Sequence, residues 1–385
     1  MLSPNPYDFS RKKQITDFFS NKFILGIVLS FLVIRLLTIF IPPQFTTDLA
    51  RSLFYGKHFW NVGFNVYKLT PIQIDPNFNV IDPTTGTLAW THNTYDYGLI
   101  SLLYYAIIGI LPVSISTQMI IAKFILNIVD VILVFFLILL FPENKEIPIV
   151  FWVVMIPFSS IEGQPLSFTL LFFIMSIYFY KEDKKSLAYV FVALGFHWKY
   201  VTLLLLPYYI LNDIKEYYSE ENKGKKLATL LKPMVIFCVL FFLLMFPLLV
   251  SPYILSYISF GGNLPVISLP WNPYYLGYPW TISSILLAIL VVYILSTWYS
   301  LRNNSKITYE LGFIPILGLF GFLLIYKYAF PWYWMWAIPL FALVPAKKRE
   351  LFIIYVSICL IAAIEFINWT VGFPFIINLL FVFNS

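Results

Sequence analysis

Charge is what this chain has least of. Only 11% of its 385 residues are Asp, Glu, Lys or Arg, against about 25% in an ordinary soluble protein, and 60% are hydrophobic. A water-soluble globule could not hide that much apolar surface. Cysteine is nearly absent: Cys238 and Cys359 are the only two. Both sit inside long apolar runs, which leaves no disulfide framework and no cysteine metal cluster. No Gly-rich phosphate loop follows a strand, and neither HExxH nor GxSxG occurs, so the usual nucleotide-binding, zinc-protease and serine-hydrolase sites have no footing. The 25 basic and 19 acidic residues lie in short clusters between apolar runs instead of one patch, which argues against nucleic acid as a partner.

What is present is a series of apolar runs. A helix crossing a hydrocarbon core of about 30 Å needs about 20 such residues, and runs near 23–41, 118–141, 147–161, 165–180, 233–250, 280–299, 309–326, 332–345, 350–369 and 371–383 qualify in whole or part. The first lacks a short-side-chain cleavage pattern and is expected to stay as an anchor. With Arg11, Lys12, Lys13 and Lys22 on the cytoplasmic side, the later clusters fall on that side too. These are Lys181 to Lys185, Lys215 to Lys232, Arg302 with Lys306, and Lys347 to Arg349. The reading is an all-α, polytopic transmembrane helical bundle of about 10–12 spans, one domain over residues 1–385, in a multi-pass integral membrane protein with a cytoplasmic N-terminus.

Residues 187–210 lie between two basic loops, yet 24 residues make only about 36 Å of helix at about 1.5 Å each. They cannot cross twice. A broken or re-entrant pair of half-helices, with Gly195, His197 and Lys199 at the bend, resolves this, and a single full span with a neighbour miscounted is the alternative. The first outer loop, 42–117, is too long for a connector. Its TTDLARSLFYGKHFW and YGLISLLYYAIIGILP stretches read as interfacial helices.

Polar residues in this setting carry the chemistry. Asp48 suits either a helix N-cap or a general base near a lipid head group, and Arg51 shares its helix face. An ammonium in a membrane segment costs several kcal/mol unless paired, so Lys199 is a functional candidate. With His197 it suits a phosphate leaving group; snorkelling and a backbone hydrogen bond are the structural readings. Glu162 and Gln164 mark a short outer turn that is either solvated or part of a site. Lys327, Trp332 and Tyr333 lie in YKYAFPWYWMW, which suits an aromatic belt or a sugar and phosphate site. Arg35 and Asp130 are intramembrane ions about 9 Å and about 18 Å below the outer ends of their runs. A direct pair would need tilt, and helix packing is the expected role.

The order of TTDLARSLFYGK with NVYKL, NIVDVILVFFLILL, FWVVMIPFSSIEGQP, GFHWKYVTLLLLP and YKYAFPWYWMWAIPL resembles the GT-C superfamily of polytopic glycosyltransferases, and within it the first mannosyltransferase of GPI-anchor assembly and its prokaryotic relatives. That resemblance implies an inverting enzyme acting on the outer, non-cytoplasmic face. It would move a sugar, mannose or another hexose, from a polyprenyl-phosphate (dolichyl-phosphate-like) donor to a hydroxyl of a lipid- or glycan-linked acceptor. Asp48 would be the catalytic base. His197, Lys199, Tyr200 and Lys327 would hold the donor phosphate, with Tyr200 following Lys199 directly where the family has a gap. Arg51, Tyr67, Tyr97, Glu162, Gln164, Trp332 and Tyr333 would contact substrate. PPQFTT stands where the GPI enzyme has an acidic pair, so no cofactor is required by the residues present, and a divalent metal, Mg or Mn, stays a candidate. A transporter or flippase of a lipid-linked saccharide is the rival reading, since broken helices also mark transporters.

Overall fold

The computed structural model describes residues 6–43, 48–80, 94–95, 97–219, 223–249 and 335–343, and among these all regular structure is helical, with no strand. Helix α1 (Pro6–Phe19) turns by 81° into α2 (Lys22–Thr38). Asn21 makes the corner, its side chain accepting from the Phe23 and Ile24 amides at 3.0 and 3.3 Å, as an N-cap should. Helix α3 (Asp48–Val62) continues into a 3₁₀ turn, Gly63–Tyr67, and a short α4 (Pro71–Ile74). Helix α5 (Leu99–Gly109) packs tightly on α3. Gly56 and Gly109 permit this: a Cβ on Gly56 would lie 2.3 Å from the Tyr105 backbone, and one on Gly109 would lie 2.5 Å from the Lys57 amide.

Helix α6 (Ile115–Leu140) is 26 residues long and, among the described residues, the one helix both long and apolar enough to cross a membrane unaided. The apolar helices around it are shorter. Helix α7 (Glu146–Met155) opens into a π turn, Ile156–Ile161. Pro157 explains the change of pitch: it has no N–H to give and its ring crowds the preceding turn, so the Glu162 amide reaches back five residues to the Pro157 carbonyl at 3.0 Å. Helix α8 (Leu166–Lys181) is followed by a tight turn in which Asp183 takes a φ of 56°, a conformation Asp tolerates better than most residues. Beyond it lie α9 (Lys185–Phe196), a 3₁₀ turn Tyr200–Leu204, α10 (Leu205–Ser219), α11 (Lys223–Leu249) and the short α12 (Ala337–Leu340).

The chain reverses between α9 and α10. The Thr202 hydroxyl donates to the Val192 carbonyl at 3.1 Å; farther down, Tyr189 donates to Asp213 at 2.8 Å and Lys185 pairs with Asp213 at 2.9 Å. Partners that rise in number on one arm fall on the other, so the two arms are antiparallel and His197, Trp198 and Lys199 form the tip. The base of this hairpin is polar: Asp213 also accepts from Tyr180 at 2.8 Å. The main core joins α6, α7, α8, α9, α10 and the 335–343 segment through Leu133, Phe151, Leu170, Phe173, Leu205 and Trp336, all buried.

Arg35 and Asp130 meet directly at 2.7 Å, both fully buried. From their depths along the two runs such a direct pair requires tilted helices. The bundle closes the gap by bringing α2 against α7 and the π turn. The guanidinium also donates to Asn127 at 2.8 Å and to the Trp152 carbonyl at 2.6 Å, and its carbon lies 3.9 Å from the Trp152 ring centroid.

The runs at 280–299, 309–326, 350–369 and 371–383 lie outside the described residues, as do residues 332–334 and 344–345 of the run at 332–345.

Candidate functional site

Four separate stretches of chain arrive at the tip of the α9–α10 hairpin. The first is the start of α5. The Ile100 amide donates to the His197 carbonyl at 2.9 Å, so the hairpin tip occupies one of the N–H groups that the first turn of any helix leaves open. Gly98 makes the approach possible, because a Cβ there would lie 2.3 Å from the His197 carbonyl oxygen. The second is the turn before α8. The Trp198 indole N–H donates to the Pro165 carbonyl at 2.9 Å, and its ring packs on Phe168 at 4.2 Å. The third is α11, whose Phe241 carbonyl lies 3.1 Å from His197 Nε2. A carbonyl only accepts, so Nε2 carries the proton. The fourth is the 335–343 segment, which brings Trp336.

The backbone thus anchored puts charged side chains around one aromatic ring. The Lys199 ammonium lies 4.8 Å from the centroid of the Tyr97 ring and 5.4 Å from that of Trp336. The Arg51 guanidinium carbon lies 5.9 Å from the Tyr97 centroid. Arg51 Nη2 in turn sits 3.7 Å from the Asp48 carboxylate, within the first turn of α3. At that distance the pair is Coulombic, longer than the 2.7–2.9 Å typical of a charge-assisted hydrogen bond. Asp48, Arg51, Tyr97 and Trp336 are all buried, with Lys199 partly so. Cations over ring faces gain about 0.5–2 kcal/mol, more when desolvated, so Tyr97 is suited to hold both cations without neutralising them.

Glu162 and Gln164 are buried, at 0% and 1% exposure, so their turn is not a solvated connector. Gly163 between them has a φ of +66°, and a Cβ on it would lie 2.5 Å from the Leu49 side chain. The turn is therefore pressed against the residue next to Asp48. Glu162 acts electrostatically on Lys123, whose ammonium also donates to the Ile41 carbonyl at 2.6 Å. Tyr105 closes the floor beside Asp48; burial first, and then the Asp48 charge, push its hydroxyl well above the usual phenol range and keep it protonated.

Tyr67 is fully buried behind Tyr95, ring centroids 5.7 Å apart, and Tyr95 in turn packs on Tyr97. Tyr200 opens the 3₁₀ turn directly after Lys199. Lys327, Trp332 and Tyr333 lie outside the described residues. His197 is oriented differently from its expected role: with Nε2 committed to Phe241, the nitrogen left over is Nδ1, which is buried and has no hydrogen-bond partner among the described residues. In the neutral ring that nitrogen accepts and does not donate. Among the described residues no group of three His, Cys, Asp or Glu side chains is placed to hold a metal ion.

Sequence reasoning did not single out Trp336, Lys123 or Tyr105. Lys123 had a signal, since it is a cation inside the most apolar long run. Trp336 belongs to the same aromatic corner as Trp332 and Tyr333 but could be chosen among its neighbours only from the fold. Compared with known proteins, the chain matches no family model, no curated protein and no solved structure.

Proposed function

We propose that this protein is a multi-pass membrane glycosyltransferase of GT-C type that takes its sugar from a polyprenyl-phosphate donor. The observation that carries the proposal is the arrangement around Tyr97: a cation from a helix break and Arg51, itself 3.7 Å from the Asp48 carboxylate of the first loop, both lie over one aromatic ring. A glycosyl phosphate needs those three elements together. The acceptor hydroxyl loses its proton to Asp48 as its oxygen bonds to the anomeric carbon. The bond from that carbon to the phosphate oxygen breaks on the opposite side, and the electron pair leaves with the polyprenyl phosphate. Lys199 and Arg51 are placed to stabilise that growing negative charge, and Tyr97 and Trp336 offer faces on which a sugar ring can stack. The products are an inverted glycoside, a polyprenyl phosphate and a protonated Asp48.

Position in the bilayer supports the same reading. The base of the hairpin carries the basic clusters of the cytoplasmic side, and α9, at 12 residues and about 1.5 Å each, lifts Lys199 about 18 Å away from it. With the basic clusters on the cytoplasmic side, as the charge pattern suggests, the site belongs to the outer half of the membrane, where a lipid-linked sugar enters sideways and a hydroxyl acceptor enters from water.

The test is transfer itself. Protein purified in detergent is incubated with radiolabelled polyprenyl-phosphate mannose or other hexoses and a panel of lipid and glycan acceptors, with Asp48→Asn alongside. The expected result is label moved to an acceptor by the natural chain and a loss of two or more orders of magnitude in the variant, the usual scale for a general base. Near-normal turnover by Asp48→Asn ends the assignment. The break at His197–Lys199 also favours a transporter of the same lipid-linked saccharides, and flux across vesicles without any transfer would select it.

A further inference from the structure

At the opposite end of the bundle from Tyr97, the turn between α8 and α9 and the flank of α11 border an open hollow of about 470 Å³ lined by Asp183, Lys184, Lys185, Ser186, Leu187, Lys232 and Pro233. We infer that this hollow is a binding site for the phosphate headgroup of an anionic phospholipid of the cytoplasmic leaflet. The inference rests on the membrane reading and its orientation, and is independent of sugar transfer.

The three lysines do different work. Lys185 is committed to the fold, paired with Asp213 at 2.9 Å and with Glu216. Lys184 and Lys232 are exposed, and neither has a carboxylate within ion-pair distance among the described residues. They come from elements far apart in sequence, so the fold, not local sequence, sets them around one hollow. Lys184 is also the residue capping α9, and it does so without a side-chain bond to the helix. The Lys184 carbonyl takes the Leu187 amide at 3.0 Å, so the partial positive charge of the first turn rests on Lys185 and Ser186, two of the residues that line the hollow. Asp183 is the one opposing charge in the lining, held on the outside of the turn with its backbone at φ 56°.

A lipid, and not free phosphate, fits what lies beside the hollow. Leu187 on α9 and Leu231, Val235 and Val239 on α11 are exposed at 43%, 44%, 56% and 62%. On α11 these are four residues apart and share one face. A headgroup on Lys184 and Lys232 would leave its acyl chain along that stripe, pointing into the bilayer. Anionic lipids are concentrated in the cytoplasmic leaflet, and each basic residue near its surface contributes about as much as a several-fold change in lipid occupancy.

The full-length protein is reconstituted in nanodiscs of phosphatidylcholine containing a minor fraction of phosphatidylglycerol, released into mild detergent, and examined by native mass spectrometry for retained lipid. The natural chain should retain phosphatidylglycerol selectively. Lys184→Ala/Lys232→Ala should lower that retention by roughly tenfold or more, whereas Lys12→Ala/Lys13→Ala, equally basic and on the same side, should not. An equal fall in both variants, or unchanged retention in the first, overturns the site and leaves only diffuse attraction. On the natural chain, displacement of the lipid by inorganic phosphate at comparable concentration would overturn the choice of a lipid ligand. Failure to displace it supports the acyl contact.

Discussion

The Lys199 ammonium and the Tyr97 ring are 4.8 Å apart, although they come from the tip of a hairpin and from the linker before α5. That contact joins the two halves of the proposed site, because the Arg51 guanidinium also lies within 5.9 Å of the same ring's centroid. Tyr97→Phe keeps the π face and should leave donor KM within about threefold. Tyr97→Leu removes it and should raise donor KM by roughly 3- to 30-fold, the range that follows from cation–π energies of about 0.5–2 kcal/mol. Steady-state transfer kinetics with varied donor decide between a ring that holds cations and a ring that only fills space.

Lys199 itself should be read by which substrate suffers. With the ammonium removed in Lys199→Ala, the developing phosphate charge loses its point-charge partner, so kcat/KM for the donor should drop by about 100-fold or more while acceptor KM changes little. Lys199→Arg should recover part of the loss. Equal losses for both substrates, accompanied by a lower melting temperature, would point to a structural role.

Much of this architecture is legible before any coordinates. The run at 118–141 is the helix Ile115–Leu140, and the interruption after Gly195 falls where a glycine, a histidine and a lysine sit together in an apolar segment. Short-range chemistry of that kind is written locally. The contacts that assemble the site are not. Nothing in the sequence says that Gly98 meets the His197 carbonyl, that the 162–164 turn is buried instead of solvated, or that Trp336 is the tryptophan of its cluster to face Lys199. Each depends on how helices cross. Depth counting along upright helices left Arg35 and Asp130 about 9 Å apart in level; the tilt that a direct pair requires is likewise a matter of how helices cross and not of local sequence.

Gly98 offers a test of that assembly away from the charged groups. Adding a single methyl in Gly98→Ala drives a Cβ into backbone, 2.3 Å from the His197 carbonyl oxygen, and backbone cannot rotate aside as a side chain can. The expected cost is about 1–3 kcal/mol, typical of overpacking, with α5 pushed off the hairpin tip. Because Tyr97 is the preceding residue, transfer should fall by more than stability predicts. Measuring melting temperature and turnover on the same preparation separates the two effects.

The Arg35–Asp130 pair predicts an asymmetry between single and double substitutions. Both side chains are fully buried, 2.7 Å apart, so removing one partner strands the other charge in a low-dielectric interior. Breaking such a pair typically costs about 3–5 kcal/mol. Arg35→Met and Asp130→Leu should therefore each lower the melting temperature in detergent strongly. The double variant leaves no orphaned charge and should be more stable than either single one, falling short of the natural chain because Asn127 and the Trp152 carbonyl also lose the guanidinium. A double variant no better than the worse single one would mean that the guanidinium's other contacts, not the ion pair, hold α2 against α6 and α7. In that case Arg35→Lys, which keeps the charge but loses the planar fork that reaches Asn127 and Trp152 together, should be nearly as damaging as Arg35→Met.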